Sequence, residues 1–66
     1  MRIELNGQAR EISSGTTVGA LLLAETGSAR GSAAVVDGEV VPRSTWDSHE
    51  LRDGQVVELI TAVQGG

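Results

Sequence analysis

Three dipeptides that favour tight turns divide this chain into short segments, and they constrain its fold more than any other feature of the sequence. They are Asn6-Gly7, Asp37-Gly38 and Asp53-Gly54, and each lies beside a run that contains strand-forming residues. Asn-Gly and Asp-Gly are strong hairpin signals, because a type I′ turn needs positive φ at both of its central positions. The chain is therefore expected to contain several short strands joined by tight turns.

The first of these turns predicts an N-terminal hairpin. Residues 1–6 alternate apolar and polar side chains, which is the period of a strand with one buried face. The return strand is expected over residues 8–13. Within it Arg10 shares the parity of Ile12, so its aliphatic stem is expected to lie against the edge of the core.

A helix is expected after this hairpin. Its apolar stripe has the spacing i, i+3, i+4 and consists of Val18, Leu21 and Leu22. Thr16 or Thr17 can cap the first turn, and Gly27 is suited to the left-handed position that ends a helix. The helix is therefore predicted over residues 18–26, with Leu23 pointing away from the stripe.

The second half predicts another hairpin, a polar loop and a final strand. Residues 33–36 and 39–41 flank the second turn, and Pro42 ends the pairing because it has no N–H. Residues 43–50 read as a loop with one helical turn, and residues 56–63 form the longest apolar, β-rich run, which suits a central strand. The order ββαββ belongs to the α+β class, with the helix on one face of the sheet.

Length and composition exclude several classes of protein. With 66 residues and no cysteine, the chain is expected to form one domain without disulfides or thiolate metal ligands. A net charge of −4 with scattered arginines argues against binding to nucleic acid. The apolar runs are shorter than the roughly 20 residues that span a bilayer, and the N-terminus does not read as a signal peptide. We expect a cytoplasmic protein that does not bind membranes.

The second half also carries a specific combination of motifs. It reads Val-Val-Asp-Gly-Glu-Val-Val-Pro-Arg over residues 35–43, then Trp46, then Leu-Arg-Asp-Gly over residues 51–54, and finally Gln64-Gly65-Gly66. Together with Asn6-Gly7 and the Gly-Thr-Thr-Val at residues 15–18, this pattern resembles the ThiS family of sulfur carrier proteins of thiamine biosynthesis. These are ubiquitin-like β-grasp proteins, so the resemblance implies a mixed sheet of four or five strands with one helix packed on one face.

The resemblance implies a chemistry for the C-terminus. It divides the chain into a β-grasp domain, residues 1–63, and a flexible tail, residues 64–66. The carboxylate of Gly66 would be adenylated by a ThiF-type enzyme that uses ATP and Mg²⁺, and then converted to a thiocarboxylate. Gln64, Gly65 and Gly66 would enter the active sites of partners, since glycines pass through narrow channels.

The resemblance also implies the partners of the chain. They are the adenylating enzyme, a thiazole synthase of the ThiG type and a sulfur donor such as a cysteine desulfurase. The chain itself would be their substrate, not an enzyme, and would bind no cofactor or metal.

A docking surface and two single residues complete the candidate sites. By parity Ile60 and Ala62 are expected to face outward on the open side of the sheet and, with the exposed Leu23, to form a surface for partners; the alternative is that Ile60 is ordinary core. Trp46 is expected to be a structural anchor whose indole N–H finds a local carbonyl, or else a partner contact. His49 is expected to be a solvated loop residue.

Three other functions remain open at this point. The small subunit of molybdopterin synthase is another β-grasp carrier with the same Gly-Gly chemistry, although it is usually longer. A ubiquitin-like tag would instead become attached to protein amines, and a plain interaction domain would use no terminal chemistry at all. On composition alone, a frayed end in a chain with nine glycines is another explanation of Gly65-Gly66.

Overall fold

Two hairpins, a helix and a final strand account for most of the chain. The computed structural model describes residues 1–27 and 31–61. In chain order the strands are β1 (Arg2–Leu5), β2 (Gln8–Glu11), β3 (Ser32–Val36), β4 (Glu39–Val41) and β5 (Val56–Thr61). The helix α1 spans Val18–Thr26, and a short 3₁₀ turn covers Arg43–Thr45. The predicted sequence of hairpin, helix, hairpin and final strand is confirmed, as is the helical turn after Pro42; with all five strands counted the order is ββαβββ.

The bounds of α1 follow from local capping. Thr17 has an extended backbone, and its hydroxyl accepts a hydrogen bond of 3.1 Å from the N–H of Ala20. Gly27 has φ 76°, a left-handed conformation that costs glycine little, and its N–H donates to the carbonyl of Leu23 at 2.8 Å. The predicted helix bounds are therefore confirmed at both ends.

The five strands form one mixed sheet in which β5 is central. The order is β2-β1-β5-β3-β4, with β1 and β5 parallel and the remaining pairs antiparallel. The central place predicted for the final strand is confirmed. Since β5 is the last described element, the C-terminal segment of the chain follows directly from the middle of the sheet.

The core lies between one face of this sheet and α1. Its buried apolar residues are Ile3, Leu5, Val18, Leu21, Leu22, Ala34, Val36, Val41, Trp46, Leu51, Val57 and Leu59. The segment between β4 and β5 closes the core through Trp46 and Leu51. Leu22 and Val18 are fully buried, so the predicted apolar stripe is the face that α1 presents to the sheet.

Some strand ends differ from the sequence prediction. β2 ends at Glu11 instead of Ser13. The N–H of Ile12 donates to the carbonyl of Met1 at 2.8 Å, and Met1 is the first residue, so Ser13 has no residue of β1 to pair with. β3 begins at Ser32, one residue earlier than predicted. β5 is described to Thr61, and residues 62–63 of the prediction lie outside the described ranges.

Arg10 forms an ion pair with the helix that the sequence did not predict. It lies opposite Ile3 and therefore on the helix side of the sheet, but its side chain is exposed and its guanidinium binds the carboxylate of Glu25 in α1 through two hydrogen bonds. The hydrogen bond and the charge of Glu25 raise the pKa of Arg10. Arg10 thus lies on the predicted face of the sheet, and its guanidinium connects the edge strand to the helix.

Candidate functional site: the central strand and the open face of the sheet

The C-terminal half of β5 is held differently on its two sides. Toward β3 the strand is paired from Val57 to Thr61, which lies opposite Ser32. Toward β1 the pairing is short, with Glu4 opposite Val56 and Leu5 opposite Val57, because the chain turns away at Asn6-Gly7. Beyond this point β5 has no neighbouring strand on the β1 side among the described residues.

The side chain of Asn6 takes the place of the missing strand. Its Oδ1 accepts a hydrogen bond of 2.8 Å from the N–H of Leu59, and its Nδ2 donates to the carbonyl of the same residue at 3.3 Å. The backbone N–H of Asn6 donates to the carbonyl of Val57 at 2.9 Å. One residue therefore extends the ladder of β5 by two residues toward the C-terminus.

Asp37 forms comparable hydrogen bonds at the opposite end of β5. Its Oδ1 accepts from the N–H of Val56 at 2.9 Å, its N–H donates to the carbonyl of Val56 at 2.7 Å, and its Oδ2 accepts from Nε2 of Gln55 at 3.1 Å. Asn6 and Asp37 share a left-handed conformation, with φ 48° and 50°. The amide at position 6 meets both a donor and a carbonyl, whereas the side chain at position 37 meets only donors, which suits a carboxylate.

The open face of the sheet carries a continuous apolar patch. Directly opposed residues point to the same face, so the register places Ile60 beside Ala33 and Val35 beside Val40, while Ala33 and Val35 are successive residues on that face of β3. Ile60 is 54% exposed and Val40 is 72% exposed. We refer to Ala33, Val35, Val40 and Ile60 as the open-face patch.

One glutamate borders this patch, and a second lies farther along the same face of the sheet. The same register places Glu58 opposite Val35, and Glu4 lies on the same face of β1 through its pairing with Val56. The chain as a whole carries a net charge of −4. An apolar patch bordered by Glu58 is complementary to a partner whose apolar surface has a cationic side chain at its edge.

The residues predicted for docking do not form one surface. Ile60 faces outward, as its parity predicts, so the alternative that it is ordinary core is wrong. Leu23 is also exposed, at 56%, but it belongs to α1, and α1 covers the opposite face of the sheet. Ala62 and the tail residues Gln64, Gly65 and Gly66 lie outside the described residues. Sequence parity did not identify the rest of the patch, because the partners of Ile60 depend on strand register.

Trp46 is a structural residue. It is only 5% exposed, and its indole Nε1 donates a buried hydrogen bond of 2.9 Å to the carbonyl of Val41. The guanidinium carbon of Arg43 lies 5.9 Å from the ring centroid. The anchor predicted for Trp46 is confirmed, and the buried ring leaves almost no surface for a partner.

His49 is more enclosed than predicted. It is half-buried, and its backbone carbonyl accepts a hydrogen bond of 2.9 Å from the N–H of Val18 at the start of α1. His49 lies in a loop, as predicted, but it is partly covered, because this loop folds onto the N-terminus of the helix. Within residues 1–27 and 31–61, no three His, Asp or Glu side chains come together as a metal site.

The described part of the chain also has no helix with the length and apolar character that a membrane crossing needs.

The fold and the site define a class of protein. A mixed five-stranded sheet with one helix across one face, and with the C-terminal strand in the centre, is the ubiquitin-like β-grasp fold. A family model described as "ThiS family" matches residues 3–66. Because this match covers nearly the whole sequence, the chain belongs to the ThiS family.

Individual relatives agree with this assignment. "Sulfur carrier protein ThiS" of Escherichia coli (strain K12) is 33% identical over 66 residues, which is the full length of both chains. The crystal structure of the thiamine biosynthesis protein ThiS from Geobacter metallireducens superposes with a TM-score of 0.83 at 28% identity and covers 100% of both chains. A solution NMR structure of a thiamine biosynthesis protein from the same organism gives a TM-score of 0.81 at 27% identity, with 100% of this chain and 88% of that chain covered.

Proposed function

We propose that this protein is a sulfur carrier of thiamine biosynthesis and that the carboxylate of Gly66 is the group that carries the sulfur. The observation that carries the proposal is the continuity between the central strand and the terminal Gly65-Gly66 in a chain whose family match extends to residue 66. Five residues follow Thr61, and fully extended they reach at most about 18 Å beyond the sheet. Such an arm is long enough to enter a cleft of a partner while the domain stays at its surface.

The chemistry begins with activation of a poor acyl donor. A carboxylate oxygen of Gly66 attacks the α-phosphorus of ATP, and pyrophosphate leaves with the electrons of the broken P–O bond. A hydrosulfide equivalent then attacks the carbonyl carbon of the acyl-adenylate. AMP departs, one proton is released, and the terminal carboxylate has become a thiocarboxylate. ATP and Mg²⁺ belong to the adenylating partner, of the ThiF type, and a thiazole synthase of the ThiG type would accept the sulfur.

The domain provides the surface by which partner enzymes recognise the carrier. The open-face patch supplies exposed apolar surface on the sheet that bears the arm, and Glu58 at its border favours an adenylating enzyme with a cationic side chain at its docking surface. The open face is separate from α1, so Leu23 is not required for this contact. The carrier therefore offers two features to a partner, a surface for recognition and an arm for chemistry.

One experiment tests the proposal directly. The protein is incubated with its adenylating enzyme, MgATP and sulfide, and its intact mass is then measured. We expect the gain that corresponds to one oxygen replaced by sulfur, located by fragmentation at Gly66. A variant that lacks Gly65 and Gly66 is the control, and it should stay unmodified although its fold is unchanged.

Two outcomes would contradict the proposal. If the wild-type mass stays unchanged while the enzyme is active on an established carrier, the chain is not its substrate. If the product is an adduct linked to lysine amines, the chain is a protein modifier instead. Restoration of thiazole formation, but not of molybdopterin formation, by the charged carrier would assign the pathway.

A further inference from the structure

The side chain of Asn6 binds β5 near its C-terminal end, and β5 is the strand that leads to Gly66. Asn6 and Leu59 are separated by 53 residues in sequence, and yet both polar atoms of the Asn6 side chain are bound to the backbone of Leu59. Leu59 lies two residues before Thr61, the last described residue. Any motion that lifts this end of β5 from the β1 side must first break the contact with Asn6.

The residue type is suited to this contact. A carboxamide carries one acceptor and a donor group in the same planar arrangement as a peptide, so it replaces a rung of the ladder that β1 no longer provides. Asparagine also tolerates the left-handed conformation that the turn demands, with φ 48°. An aspartate would place a carboxylate beside the carbonyl of Leu59, and a glycine would keep the turn but lose the contact.

We propose that Asn6 is the positioning residue for the C-terminal arm: its carboxamide holds Leu59 in place and so fixes the base from which residues 62–66 reach the active site of the adenylating partner. This inference rests on the function proposed above. A carboxylate reacts faster when its attachment keeps it near the geometry of attack. If the start of the arm is mobile, a smaller fraction of the bound carriers is ready to react. Docking through the open-face patch does not depend on this contact.

Asn6→Gly is the decisive variant, and Asp37→Gly is its matched control. Both positions have left-handed backbones followed by glycine, so glycine fits each turn without strain. Asn6→Gly removes two side-chain hydrogen bonds at Leu59 near the arm, and Asp37→Gly removes one at Val56, at the far end of β5, and one to the side chain of Gln55. Any general cost of weakening β5 is therefore present in both proteins.

The first readout is amide hydrogen exchange of the carrier alone. We expect Asn6→Gly to raise the exchange rate of the Leu59 amide by about fivefold or more, as the loss of a hydrogen bond predicts, while the Val56 amide stays protected. Asp37→Gly should show the reverse pattern. If the Leu59 amide is equally protected in Asn6→Gly and in the wild type, the proposal is overturned, whatever the adenylation rate of the variant.

The second readout is the rate of adenylation, measured as ATP-dependent pyrophosphate exchange with each carrier. Asn6→Gly should lower kcat about threefold to tenfold with little change in the KM for the carrier, whereas Asp37→Gly should keep the wild-type kcat. Equal kcat for the two variants, or an effect of Asn6→Gly on KM alone, would refute the positioning role. If the wild type itself is not adenylated, the proposed function fails, and the amide hydrogen-exchange experiment still tests whether Asn6 holds Leu59.

Discussion

Trp46→Phe should destabilise the domain by a large part of its total stability. The indole N–H is bonded to the Val41 carbonyl at 2.9 Å, and the ring is 5% exposed, so phenylalanine leaves a buried carbonyl without its donor. An unsatisfied buried group costs about 1–3 kcal/mol, and the lost ring atoms add roughly 1 kcal/mol of burial. The sum, about 2–4 kcal/mol, is comparable with the ~3–5 kcal/mol that a core of this size supplies.

Urea denaturation followed by far-UV circular dichroism measures this loss, because the variant has no tryptophan to report by fluorescence. The midpoint should fall steeply, and the melting temperature should drop by about 10 °C or more, given ~4–8 °C per kcal/mol for a domain of this length. Arg43→Ala, which removes only the cation near the ring, is the control and should cost at most about 1 kcal/mol. A loss below about 0.5 kcal/mol for Trp46→Phe, the range of ordinary surface changes, would refute the anchor.

Two further predictions concern the surface. Ile60→Asp should leave the urea midpoint nearly unchanged but raise the KM of the adenylating enzyme for the carrier by about tenfold or more, because it puts a charge into the centre of an apolar contact. Leu23 is equally exposed but lies in the helix layer, so Leu23→Asp should leave this KM unchanged. Equal effects of the two changes would contradict docking through the open face. A double-mutant cycle of Arg10→Ala and Glu25→Ala should show a weak favourable coupling that decreases as salt is added, and a coupling that does not respond to salt would mean that the contact is not mainly electrostatic.

Local interactions explain what the sequence determined by itself. The bounds of α1 depend on Thr17 and Gly27, whose bonds reach only three or four residues along the chain, and the tight turns depend on residues that accept positive φ. The same local rules placed Ile60 on the outer face through its parity with Glu58. The family resemblance also rests on short motifs, so it could be recognised without any knowledge of the fold.

Only the tertiary structure decided the contacts between distant segments. The parallel pairing of β1 with β5, the register that assembles the open-face patch and the bond from Arg10 to Glu25 all join residues that no sequence period relates. Asn6 shows the difference most clearly. Its sequence neighbourhood determines a turn, because Asn-Gly favours positive φ, but its hold on Leu59 exists only once the chain has brought two residues 53 positions apart side by side.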